Sequence, residues 1–319
     1  MPSIVTVTAP SRLHFGLLGF GGASERQFGG VGVMIEQPAL QLRVSRADRL
    51  SVHGLASERV SSFVQHWSAF VQLDQPLVCR IDVLHTPRSH IGLGSGTQLG
   101  LAVAAGLNRL FDREMSIIET ARSVGRGLRS AVGTYGFFQG GLIWERGKTN
   151  RETISPLEKR VAIPDSWRFV VICPKQQVGL SGEGEQSAMA CLPPVPAQTQ
   201  DRLSGIVENH ILPALARRAC DEFGEAVFQY GRGSGEAFAP IQGGAYNGAK
   251  LEQLVERIRA SGGVGVGQSS WGPALYVIVP SDRNAKIIID QLREAGDLED
   301  TDIWISRPDN QGARIAVEA

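Results

Sequence analysis

No charge of one sign predominates in this sequence: 32 Lys and Arg residues face 32 Asp and Glu, and the formal net charge at pH 7 is zero. That balance excludes a polybasic nucleic-acid binder, and any anionic ligand has to be held by local groups rather than by a field of the whole molecule. Cysteine is scarce. Cys79, Cys173, Cys191 and Cys220 lie far apart, and neither they nor the six histidines show a CxxC, HExxH or other metal spacing, which argues against a zinc site. No apolar run approaches the ~20 residues that cross a bilayer, and residues 1–10 lack the basic start and apolar stretch of a secretory signal. The expectation is a reduced, cytoplasmic, soluble protein with no membrane or nucleic-acid partner. With 42% hydrophobic and 20% charged residues, the chain is neither a disordered nor a coiled-coil polymer.

What the sequence has in excess is glycine, 38 of 319 residues, or about 12% against a usual ~7%. It is clustered: GFGG from Gly19, GGVG from Gly29, GLGSG from Gly92, GGVGVG from Gly262, and QGG at both Gln139 and Gln242. Glycine gathers where backbone takes positive φ or approaches a ligand closely, so each cluster is either a binding loop or an ordinary tight turn.

A length of 319 residues suggests about two domains at ~150 residues each. Short alternating or β-branched runs at Ile4 to Thr8, Val31 to Ile35, Leu40 to Val44 and Val78 to Val83 read as strands, with a helix from Glu58 to Leu73 among them. From Thr97 the spacing becomes helical, a second helical segment covers Ile117 to Leu128, and a strand follows at Leu142 to Glu145. The stretch Lys159 to Trp167 reads as the crossing into a second half that begins with the strand Phe169 to Cys173. We therefore divide the chain into residues 1–163 and 164–319. The order of strands and helices in the second part suggests an α+β domain of ferredoxin type.

The loop HTPRSHIGLGSGTQL stands directly before an amphipathic helix. A helix start presents up to four unpaired N–H groups and about half a positive charge, which suits phosphate or diphosphate. Ser95 and Thr97 add hydroxyls, with Arg88 and His90 at the entry. The loop has no Walker lysine and no third glycine of a dinucleotide motif. A glycine turn capping a core helix is the alternative reading.

The segment GLGSGTQLGLAVA resembles the phosphate-binding motif of the GHMP small-molecule kinase superfamily. APSRLHFGLLG at Ala9 to Gly19 resembles its first motif, and GGVGVGQSSWGP at Gly262 to Pro273 its third. The resemblance spans nearly the whole chain and implies a ribosomal-protein-S5-like domain 2 fold for the N-terminal domain and a ferredoxin-like C-terminal domain. One departure matters. Where these kinases carry an aspartate that activates the substrate hydroxyl, this chain has Gly133 in Ser130, Ala131, Val132, Gly133, and Arg12 stands where many carry a lysine. Arginine stays protonated and holds phosphate or carboxylate through paired bonds, so it suits an anion better than a proton shuttle.

One branch of the superfamily combines SRLHFGLL, GLGSGTQL, a glycine in place of the aspartate, GLSGEGE, QGGAY and GQSSWGP: the β-ribofuranosylaminobenzene 5'-phosphate synthase family. The resemblance implies condensation of phosphoribosyl diphosphate with 4-aminobenzoate or 4-hydroxybenzoate, loss of diphosphate and CO2, and a homodimer. Mg2+, which favours phosphate oxygens with one or two carboxylates, is the expected cation, with no organic cofactor. An ATP-dependent small-molecule kinase is the alternative.

For such chemistry the expected diphosphate cradle is Gly92, Gly94, Ser95, Gly96, Thr97 and Gln98, closed by Arg12 and Arg88. Glu183 and Glu185 are expected to steady the sugar cation or hold the metal, a solvated helix start being the other reading, and Glu36 is a weaker rival. Trp271, enclosed by polar and glycine residues, is expected either to stack on the aromatic ring, with Gln268, Ser269, Ser270, Gln242 and Tyr246 around it, or to be an ordinary core tryptophan. His14 shares a strand face with Arg12 and is either a proton donor or a satisfied core histidine. Arg126 and Arg129, close before the altered motif, are candidates for a 5'-phosphate by sequence proximity alone.

Overall fold

The structure is a computed structural model and describes residues 2–22, 25–177, 179 and 182–318. Strands β1 (Ile4–Leu17), β2 (Gly30–Arg46) and β3 (Ser51–Gly54) come first, then helix α1 (Ser57–Phe70), strand β4 (Cys79–His85) and helices α2 (Ser95–Leu110), α3 (Ile117–Ser123) and α4 (Val132–Gln139). Strands β5 (Leu142–Glu145), β6 (Leu157–Val161) and β7 (Arg168–Pro174) lead into helices α5 (Gly182–Cys191), α6 (Ala197–Ile206), α7 (Leu212–Ala216), α8 (Cys220–Gly235), α9 (Ala239–Gln242) and α10 (Ala249–Ala260). The remaining elements are β8 (Gly265–Gln268), β9 (Leu275–Val279), α11 (Asp282–Glu294), β10 (Thr301–Ser306) and β11 (Arg314–Glu318). No helix among the described residues is long and apolar enough to cross a membrane.

The first sheet runs β11-β1-β2-β4-β3, with β5 on β2 and β6 on β5. In its first half β1 alternates as the sequence does: Val5, Val7 and Ala9 face inward and meet Leu42, Val44 and α2. Pro10 has no N–H to give a ladder, and the register with β2 shifts between Ala9 and Ser11, where that loss is harmless. Beyond the shift β1 pairs with Gly30–Ile35 of β2, and Leu13 and Phe15 enter a second core. That second core holds Val31, Val33, Trp144, Phe169, Phe223 and Tyr230, so the far half of β1 is sandwiched between the two domains. Arg12 and His14 are carried into the cleft there.

The second sheet runs β10-β7-β9-β8, and all its pairs are antiparallel. Numbered within this domain the order is 4-1-3-2, the split βαβ arrangement of a ferredoxin-like fold. Its second face packs Val170, Ile172, Leu275 and Val277 against Leu251, Val255 and Ile258 of α10 and Ile288, Ile289 and Leu292 of α11. The last strand, β11, leaves this domain and pairs with Ile4–Thr8 of β1, so a contiguous division at 163/164 separates it from the sheet it completes.

One helix ends earlier than periodicity suggests. The segment from Ile117 is helical only to Ser123, and residues 124–131 form loop that reaches the cleft. Between α7 and α8 the chain breaks at Arg217 to Ala219, and α8 starts at Cys220. Arg218 takes a positive φ of 56° at that break.

Candidate active site

The glycine loop is built by three close approaches. Arg12 N donates to Leu93 O at 3.0 Å, Ala274 N to Ile91 O at 3.1 Å, and Ser269 Oγ to Gly92 O at 2.7 Å. Gly92 has φ +93°, and a β-carbon there would lie 2.3 Å from Ser269 O, so glycine alone satisfies both conformation and space. Gly94, at φ +70°, forms the start of α2 and accepts from the amides of Thr97 and Gln98. The earlier amides of the first turn have no partner within the helix, and their residues Ser95 and Gly96 line the cleft.

The cleft is a cavity of about 650 Å³ lined from both domains, a size suited to a small-molecule complex. Arg12, His14, His90, Gly92, Gly94, Ser95, Gly96 and Thr97 line one side, and Gln242, Tyr246, Gln268, Ser270 and Trp271 line the other. Gln98 and Ser269 do not line it. Gln98 is buried and donates from Nε2 to Gly133 O at 3.0 Å, and Ser269 is buried with its hydroxyl spent on Gly92 O while accepting from His14 N. Both brace the cradle from behind.

Arg88 corrects the expected clamp. Its guanidinium turns away to the second sheet, where it pairs with Asp302 at 3.0 Å and donates to the carbonyls of Pro174 and Lys175. The backbone end of β7 captures it. Glu183 and Glu185 stand in α5, but their side chains lie outside the described residues. Glu36 does not line the cavity.

Four arginines line the cavity: Arg12, Arg59, Arg126 and Arg129. Arg59, on α1, was hidden in sequence because an amphipathic helix carries arginines on its solvent face as a rule. Here its guanidinium lies over the start of α2, so close that a β-carbon on Gly96 would collide with it. Arg126 stacks over the Phe63 ring at 4.8 Å, and its buried Nε has no hydrogen-bond partner. Burial, with Arg59 and Arg129 nearby, pushes the Arg126 guanidinium down to about 10. Neither Arg59 nor Arg126 has an ion pair among the described residues. Cations held together against their repulsion, at a helix start, make a site complementary to a polyanion.

No described carboxylate lines the cavity, and no grouping of His, Cys, Asp and Glu among the described residues suits a metal ion.

Across from the arginines the wall is aromatic. Trp271 meets Phe238 edge-on with centroids 4.8 Å apart, and Tyr246 buries a hydroxyl without a partner. The two glutamines are structural as well as lining: Gln268 Nε2 donates to Ser270 O at 3.0 Å, its Oε1 accepts from Asn247 N at 2.7 Å, and Gln242 Nε2 donates to Ala245 O at 3.3 Å. They hold the loop that presents Trp271.

Between the two walls lies a feature the sequence did not disclose. His14 Nε2 is 2.9 Å from Ser130 Oγ, Ser130 Oγ donates to Glu145 Oε1 at 2.5 Å, and Ala131 N donates to Glu145 Oε2 at 2.8 Å. Glu145 ends β5 and is fully buried. Burial pushes its carboxyl up to about 7, while burial and the Arg12 charge hold the His14 imidazole well below its usual value. Beside Gly133 itself stand Thr97, Gln98 and Arg12.

Known proteins bear on these observations. The profile of GHMP kinases C terminal matches residues 211–298. Beta-ribofuranosylphenol 5'-phosphate synthase of Archaeoglobus fulgidus is 28% identical over 307 residues, covering 91% of this chain and 92% of that one. The same-named protein of Methanothermobacter thermautotrophicus is 28% identical over 292 residues, covering 85% and 88%. Among solved structures, homoserine kinase from Cytophaga hutchinsonii superposes with a TM-score of 0.71 at 15% identity, covering 99% of this chain and 98% of that one. Sheet order, matched segment and relatives agree: this chain has the two-domain GHMP-kinase fold and is an enzyme that resembles, over most of its length, the beta-ribofuranosylphenol 5'-phosphate synthases.

Proposed function

We propose that the cavity transfers a ribosyl 5-phosphate from phosphoribosyl diphosphate to 4-hydroxybenzoate, with loss of diphosphate and CO2. The observation that carries this reading is the set of four arginines that line the cavity together with the start of α2, in a described lining that holds no carboxylate. A donor with a phosphate at one end and a diphosphate at the other matches that charge. The product named for the relatives, a ribofuranosylphenol phosphate, supports the hydroxy acid over the amino acid as acceptor.

In this reading the anomeric bond to diphosphate breaks and its electron pair leaves with the diphosphate. The ring carbon that bears the carboxylate bonds to the anomeric carbon, and the carbon–carboxylate bond then breaks, returning its electrons to the ring as CO2 departs. The amides of the α2 start, Arg12 and Arg59 stabilise the charge that develops on the leaving group, a class of contact worth ~3–4 kcal/mol for a single preorganised donor. Trp271 and Phe238 form the dry wall against which the aromatic acid stacks. Magnesium belongs to the donor's own diphosphate oxygens in this reading, and no step depends on it.

The neighbours of Gly133 weigh against the kinase alternative, because Arg12 has no hydroxyl-activating function there. Incubation with phosphoribosyl diphosphate and carboxyl-labelled 4-hydroxybenzoate is the test. Equal release of labelled CO2 and diphosphate supports the reading; consumption of ATP with a small alcohol, and no labelled gas, replaces it.

A further inference from the structure

We propose that His14, Ser130 and Glu145 form a proton relay that leads from the cavity into the core of the first domain. His14 takes the phenolic proton of the aromatic acceptor, and the relay stores it on Glu145 until the carboxylate has left. This inference rests on the function proposed above and names how the same site activates its acceptor.

The geometry has a direction. Ser130 Oγ gives its hydrogen to Glu145 Oε1 and can then accept from His14 Nε2–H, which leaves Nδ1 as the proton-accepting ring atom. His14 and Ser130 both line the cavity, whereas Glu145 is fully buried and does not. His14 is tied to the aromatic wall by its backbone: its N–H donates to Ser269 Oγ and its carbonyl accepts from Ser270 N, the residue before Trp271. His14 and Trp271 thus line the same cavity from directly connected backbone.

The proton balance closes. The acceptor O–H bond breaks as Nδ1–H forms; Nε2–H passes to Ser130, and the serine hydrogen passes to Glu145. The ring, now a phenolate, attacks the anomeric carbon through the position para to its oxygen. Loss of CO2 regenerates a phenolate, which recovers the proton along the same path. No proton is gained or lost overall, and none is released to water. The groups facing this chain permit it. Burial and the Arg12 charge disfavour a lasting imidazolium, and the hydroxyls of Tyr135 and Tyr230 are spent on the carbonyls of Ser155 and Gly16. A carboxyl with its proton equilibrium near neutrality is a suitable store.

The test uses Glu145→Gln with 4-hydroxybenzoate and with 3,5-difluoro-4-hydroxybenzoate, a phenol already ionised at pH 7. The variant is expected to lose about 100-fold or more in kcat with the first acceptor and to stay within a few-fold of the parent protein with the second. The ascending limb of the parent's pH profile near 7 should flatten. Equal losses with both acceptors, or an undiminished rate with the first, overturn the relay.

A second readout is independent of turnover. The ultraviolet spectrum of bound 4-hydroxybenzoate should be that of phenolate in the parent protein and of phenol in the variant; identical spectra overturn the proposal. Should the parent release no CO2, the function proposed above falls, and this spectrum still decides the relay. Ser130→Ala and His14→Asn carry the same measurements if Glu145→Gln does not fold.

Discussion

A β-carbon on Gly133 would stand 3.7 Å from Cδ of Arg12 and no closer than 3.4 Å to any neighbour, so the position has room for a side chain and faces a guanidinium. An aspartate introduced there would sit in the first turn of α4, where the helix dipole favours an acid. It would pair with Arg12 and withdraw that charge from the ligand.

Gly133→Asp is accordingly expected to fold with a Tm within about 3 °C of the parent. It should bind phosphoribosyl diphosphate roughly 10- to 100-fold more weakly, the effect of losing one charge-assisted contact of ~1.5–3 kcal/mol. Titration calorimetry reads the affinity; an unchanged Kd refutes the pairing.

Arg126 offers an opposite pair of effects. Its guanidinium is buried over Phe63 and repelled by Arg59 and Arg129, so it is kept at the expense of stability. Arg126→Met should raise Tm by a few degrees in the absence of ligand, since apolar replacement of an uncompensated buried charge is often stabilising. The same variant should lose most of the stabilisation that saturating donor gives the parent, on the order of 2.7 kcal/mol at a hundred times Kd. Differential scanning with and without donor separates the two effects, and a lower ligand-free Tm contradicts the account.

At Gly92 the backbone itself is the constraint. Gly92→Ala would force a β-carbon to 2.3 Å from Ser269 O at φ +93°. The expected loss is ~1–3 kcal/mol in urea unfolding, together with weaker donor binding as the cradle shifts. Alanine accepted without either loss would mean the loop is not held as described.

The Glu145 carboxyl gives stability a particular pH dependence. Its equilibrium lies near 4.5 in the unfolded chain and about 7 in the folded one. Below 4.5 both states hold the proton and the group contributes nothing. Between 4.5 and 7 the unfolded chain loses the proton while the folded protein keeps it, so stability falls as pH rises; above 7 the penalty is constant. Glu145→Gln, which cannot ionise, should therefore gain stability relative to the parent across that window, by roughly 2–4 kcal/mol at pH 8. Denaturant unfolding at pH 5 and pH 8 tests this, and a difference that does not widen with pH rules it out.

What was legible in the sequence is what short-range pattern encodes. The glycine loop before α2 and the strand Leu142–Glu145 each follow from neighbours within a few residues, and both agree with the structure. Arg88 misled because it stands beside the loop in sequence, whereas the carbonyls that hold it come from the end of β7. Arg59 was invisible for the reverse reason: nothing in a helix pattern marks one polar position as facing a cleft. Glu145 closes a strand whose four residues are all buried, so no alternation singles it out. Its partners arrive through the loop between α3 and α4 and through β1, and only tertiary structure joins them.

The return of β11 to the first sheet couples the two ends of the chain in time as well as in space. During synthesis the outer edge of β1, Ile4 to Thr8, has no strand beside it until residues 314–318 have left the ribosome. Throughout elongation that edge is a bare row of amides and carbonyls, open to any passing strand, and nascent chains cut short before β11 are the ones a chaperone would have to shield.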